Sequence, residues 1–170
     1  MGLWVQNVGV RAAAIPSAVA ARTVAEADST PEQMDGWAWA TWATVADGNF
    51  LDLEELDALA AEAAGEAGAP ALVYSVHDSD SVYLTGADPS GARFRLMLNP
   101  EAWEDELPPQ EIDAAAGWAR DHAPLDPSPD KIADVLGRQF VFAEDGLNVF
   151  LARMGLLPAE LAEGAQEMPG

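Results

Sequence analysis

The chain contains no cysteine, one lysine (Lys131) and only two histidines, His77 and His122. The missing cysteines exclude disulfides, thiolate metal centres and cysteine nucleophiles. Two histidines far apart in sequence cannot by themselves supply a His-rich metal centre. No apolar stretch approaches the roughly 20 residues of a spanning helix. The opening MGLWVQNVGV lacks the cationic and long apolar regions of a secretory signal, and Gln6 stands where a myristoylation motif needs Ser or Thr. The expectation is a soluble, cytoplasmic protein. Recognisable catalytic furniture is also missing: there is no Gly-x-Ser-x-Gly elbow, no alternating strand–helix nucleotide-binding half and no cofactor motif.

Cations are scarce. Eight Lys and Arg face 29 Asp and Glu, a formal net charge of −21 over 170 residues. Such a surface repels nucleic-acid phosphates and anionic lipid heads, which excludes nucleic acid and membrane as partners. The imbalance grows along the chain, from −3 in residues 1–50 to −7 in 51–100 and −11 in 101–170. One reading is solubility in a proteome biased toward acids. The other is a face made to meet a basic protein, because complementary charge speeds association and selects partners. A disordered acidic tail is excluded, since 49% of residues are hydrophobic and six are Trp. The length is that of one domain with a real core.

Residues 3–10 read as a first strand, Pro16 to Ala27 as a helix with an early proline. In residues 37–45, Trp37, Trp39 and Thr41 alternate with Ala38, Ala40 and Trp42, the period of a strand. Those tryptophans cannot all share one core face, so one meets a helix layer while another lines a surface groove. Residues 52–67 form the clearest helix: Leu53, Leu56, Leu59 and Ala60 share a face, acids fill the first turns, and Gly68 stands at C′. A three-strand meander follows over 71–77, 82–86 and 92–99, with Phe94, Leu96 and Leu98 alternating against Arg93, Arg95 and Met97. The last third reads as helical: one helix from Pro109 to about Asp121, a second capped by Ser128 with Pro129 at N1, and a third from Glu144 to Met154. The tail after about Leu161 is expected to fray.

Candidate chemistry concentrates at His77, Asp78 and Asp80, with Asn99 one strand away. An imidazole and two carboxylates can bind a divalent metal or act as acid and base. The competing reading is that Asp78, Ser79 and Asp80 are turn residues satisfying local backbone donors. An EF-hand is excluded, because counting from Asp78 its required glycine falls on Tyr83. Gly86 to Gly91 has phosphate-loop spacing, but Ala92-Arg93 replaces Lys-Ser/Thr and the segment joins two strands, so it reads as a hairpin loop. Arg120-Asp121-His122 reads as the cationic end of a helix. Trp103, flanked by Glu101, Glu104, Asp105 and Glu106, is the aromatic expected to stay partly exposed, where a partner cation could stack and meet carboxylates.

The stretches MGLWVQNVGV, APALVYSVHDSDSVYL, LNPEAW and VFAEDGLNVFLARMGL together resemble a family of small, acidic, uncharacterised bacterial proteins with a His-Asp-Ser-Asp hairpin before an Asn-Pro segment. The resemblance spans residues 1 to about 157 and implies no activity; it directs attention to His77–Asp80 and to Asn99-Pro100. The residues point to an α+β fold, a mostly antiparallel sheet of about five strands with helices on one face and a helical C-terminal segment. The functional expectation is a non-catalytic, immunity-like module for a basic protein partner, with Trp103 and its neighbouring acids as the contact. The alternative is a small metal-dependent enzyme or hydrolase built on the hairpin.

Overall fold

The structure, a computed structural model, describes residues 2–23, 34–103 and 106–169. Strand β1 (Val5–Val10) lies between β2 (Ala38–Thr44) and β3 (Ala71–His77), and β4 (Ser81–Ala87) and β5 (Arg93–Leu98) complete the sheet. The order is β2-β1-β3-β4-β5 and every pairing is antiparallel. A bulge admits Trp42 between Ala43, which faces Gln6, and Thr41, which faces Asn7. The extra residue keeps Trp42 on the side of Ala38 and Ala40, while Trp39 packs on the opposite side. Two strand glycines make room for rings directly across the ladder. Gly9 faces Trp39 and Gly86 faces Phe94, and a β-carbon at either position would collide with that ring.

Both faces of the sheet are buried, by different means. Helix α2 (Leu53–Ala67) covers one with Leu56, Leu59, Ala60, Ala63 and Ala64 against Val8, Val10, Val73, Tyr83 and Met97. Its start is fixed by a capping box, in which Asp52 Oδ1 accepts from Glu55 N–H and Glu55 Oε2 accepts from Asp52 N–H, both at 2.9 Å. Its end is fixed by Gly68 in the left-handed region, φ 60°. The C-terminal segment takes the other face. There α3 (Ile112–His122), α4 (Pro129–Leu136) and α5 (Ala143–Arg153) pack Trp118, Ile132, Val135, Leu147 and Phe150 against Leu72, Tyr74, Leu84, Phe94 and Leu96. Burying one leucine such as Leu56 contributes about 2 kcal/mol, so these two layers hold the sheet.

Three local details depart from the sequence expectations. Helix α1 (Ser17–Ala20) is a single turn, and residues 24–27 of the longer helix expected there lie outside the described residues. Helix α3 starts at Ile112 rather than Pro109, because the segment before it guards the sheet edge: Gln110 bonds both Met97 N–H and Met97 C=O, and Glu111 N–H donates to Arg95 C=O. Ser128 stands at the N-cap of α4 without a side-chain cap bond. The residues after Leu161 are bonded to the segment before α5. Val141 N–H donates to Gln166 C=O and Met168 N–H to Gln139 C=O, while Arg138 pairs with Glu167 at 3.0 Å.

Candidate functional site

The edge where β3 ends and α2 begins gathers rings from separate segments around His77. Trp4, Phe50 and Trp103 each meet the imidazole edge-to-face, with centroids at 5.6, 6.0 and 5.2 Å. Trp4 comes from the residue before β1, Phe50 from the loop before α2, and Trp103 from the turn after β5. Beside them opens a cleft of about 590 Å³, lined by Leu51, Asp52, Glu54, His77, Trp103 and Glu106. Its wall is apolar and aromatic and its rim carries three exposed carboxylates. Trp103 is half-buried, and its indole N–H is buried without a hydrogen-bond partner among the described residues.

A run of hydrogen bonds reaches the imidazole. Gln6 Oε1 accepts from Leu51 N–H at 2.9 Å, so its Nε2 is the end that donates to Leu51 C=O at 2.9 Å and to Ser75 Oγ at 3.1 Å. Ser75 Oγ, which accepts from Gln6, is also hydrogen-bonded to His77 Nε2 at 2.9 Å. Burial among the rings lowers the His77 pKa below the ordinary 6.5. A neutral imidazole beside an acidic rim leaves the cleft free of positive charge.

The rest of the predicted cluster is used differently. Asp78 and Ser79 are both left-handed, φ 52° and 60°, as the central pair of a type I′ hairpin turn, which Asp80 N–H closes onto His77 C=O at 2.9 Å. Asp78 Oδ1 accepts from Gly2 N–H at 2.7 Å. Ser79 Oγ accepts from Leu3 N–H at 2.8 Å and donates to Glu144 Oε1 at 2.9 Å. The turn thus ties the chain start to the first turn of α5. Asn99, buried and left-handed (φ 50°), clasps the backbone of Phe140 from both ends, at 2.8 and 2.9 Å. Asp80 and Asn99 line a small recess of about 60 Å³ with Phe140 and Met168, while His77 faces the cleft near α2. The structure therefore does not gather His77, Asp78, Asp80 and Asn99 around one point. Among the described residues no group of three or more His, Asp or Glu is placed to hold a metal ion.

The acids expected around Trp103 divide as well. Glu106 lines the cleft, Glu101 accepts from Gln139 Nε2 on the other side of the turn, and Glu104 and Asp105 lie outside the described residues. Asp52 and Glu54 were missed as site residues because they read as helix-start acids; they are that and rim carboxylates too. The remaining tryptophans form a second aromatic row across the sheet. Trp37 stacks on Trp39 at 6.1 Å and neighbours Trp118 at 6.2 Å, while Trp42, on the other face, lies under Arg22 at 5.6 Å.

Sequence reasoning assigned His122 to a helix end, and the structure gives it more. Its Nε2 meets Asp88 Oδ2 at 2.8 Å, with the side chains only 15% and 7% exposed. Burial alone would raise the Asp88 pKa. Hydrogen bonds from Ser90 Oγ, from His122 and from the Ala92 and Ser90 N–H groups outweigh it and hold the carboxyl at about 2. Among the described residues no helix is long and apolar enough to cross a membrane. No protein-family model matches the chain, and neither the curated proteins nor the solved structures contain a match.

Proposed function

We propose that this protein is a non-catalytic binding module, immunity-like in design, that receives a cationic side chain of a basic protein in the cleft between His77, Trp103 and the start of α2. The observation that carries this reading is the pairing of an aromatic wall with a carboxylate rim in one cleft of about 590 Å³. Lysine and arginine stems suit the apolar wall, their charged ends suit Asp52, Glu54 and Glu106, and ring faces attract cations. The neutral His77 adds no repulsion, and the free indole N–H of Trp103 is a donor for a ligand carbonyl. The net charge of −21 steers a basic partner toward the surface. The hairpin enzyme reading loses support, since Asp78 and Ser79 spend their side chains on the chain start and α5.

The test is titration of the full chain with a short peptide alternating lysine and glycine, read by tryptophan fluorescence at low and physiological salt. Binding should weaken at least tenfold in Trp103→Ala, in line with the loss of an aromatic anchor, and several-fold in Glu106→Gln. Equal binding by wild type and Trp103→Ala would mean diffuse attraction to a polyanion, and absence of binding at low salt would remove the reading altogether.

A further inference from the structure

A second cavity, of about 400 Å³, lies at the opposite end of the sheet and does not depend on the carboxylate-rimmed cleft. Its lining includes Arg11 just past β1, Asp35 and Trp37 just before β2, His122 at the end of α3, and Leu156 and Leu157 after α5. Three observations converge there. Arg22, Arg95, Arg120, Arg138 and Arg153 each pair with a carboxylate, whereas Arg11, like Arg93, has none within ion-pair distance among the described residues. Its one polar contact is from a guanidinium nitrogen to the His122 backbone C=O at 2.8 Å, which leaves the remaining donors of the fork unused. His122 is the second: Asp88 takes its Nε2, and its Nδ1 is buried with no partner. A buried ring nitrogen without a partner requires an explanation. The third is the wall, where Trp37, Leu156 and Leu157 offer apolar surface beside those polar groups.

We infer that this cavity is a ligand site for a small carboxylate with an apolar body, the carboxylate held by the Arg11 guanidinium. A guanidinium fork matches a carboxylate in shape and charge. The volume lies within the range of small-molecule pockets, and a mostly apolar lining with a few convergent polar groups is their usual make-up. Asp88 is a positioning residue: by accepting from Nε2 it fixes the imidazole plane and leaves Nδ1 as an acceptor for a donor group of the ligand, such as an ammonium. Asp35, exposed on the same lining, is placed to meet an ammonium if the ligand is an α-amino acid.

The probes are 4-methylpentanoate, L-leucine and 4-methylpentanamide, titrated calorimetrically into the full chain. Both acids should bind, and the amide should bind at least tenfold more weakly. L-leucine binding more tightly than 4-methylpentanoate, with the advantage lost in Asp35→Asn, identifies an amino-acid site; the reverse order identifies a simple carboxylic acid. Arg11 is exposed, so Arg11→Met should fold normally by circular dichroism while losing at least tenfold in affinity for either acid. Amide and acid binding alike, neither acid binding, or Arg11→Met binding as wild type would each overturn the assignment.

Discussion

The two histidines occupy opposite ends of one sheet and are treated in opposite ways. His77 sits among Trp4, Phe50 and Trp103 and is held by a neutral serine hydroxyl, so burial keeps it uncharged. His122 sits against a buried carboxylate that four donors keep ionised. The difference teaches that composition alone assigns neither residue a role. One imidazole lies among rings beside a cleft with a carboxylate rim, and the other takes a carboxylate near Arg11, which has no ion pair among the described residues.

The comparison can be broken most strongly at Asp88. Asp88→Ala strands His122, the Ser90 hydroxyl and the Ser90 and Ala92 N–H groups, and should cost about 2–4 kcal/mol in urea unfolding. Asp80→Ala, exposed at the other end, should change stability by less than about 0.5 kcal/mol. Next comes acid. The folded pKa of Asp88 is depressed to about 2 from 3.8, so its contribution is complete above pH 3.8 and is lost as pH falls toward 2. The loss should be about 2 kcal/mol over that window and be absent in Asp88→Asn. Ser75→Ala removes the hydroxyl hydrogen-bonded to His77 Nε2 and should cost about 1 kcal/mol, again by urea unfolding. The smallest effect belongs to His77 itself. Its folded pKa lies below the unfolded 6.5, so the unfolded chain takes up the proton first and stability declines as pH falls below 6.5. A stability–pH profile of His77→Gln should lack that limb.

Much of the frame was legible because its signals are local. Acids fill the first turn of α2, Gly68 marks its end, and Phe94, Leu96 and Leu98 alternate with Arg93, Arg95 and Met97 along β5. The α3 boundary was not, because Gln110 and Glu111 serve the β5 edge and that demand is invisible in helix propensity. The main-chain bonds of the tail to Gln139 and Val141, far away in sequence, were not legible for the same reason. At the site, Trp103 stood out by its acidic neighbours, but the rings that join it around His77 arrive from residues 4 and 50 only through folding. Asp88 and His122 each had a sufficient local role, as a turn residue and a helix end, and their contact is a fact of topology alone.

The most direct test of the central claim is a side-chain NMR titration of the whole protein with the lysine–glycine peptide, following the Trp103 indole and the His77 and His122 rings together. The cleft reading predicts that Trp103 and His77 shift in a saturable way while His122 stays still. Uniform small shifts across the acidic surface, or an unmoved Trp103, would contradict it.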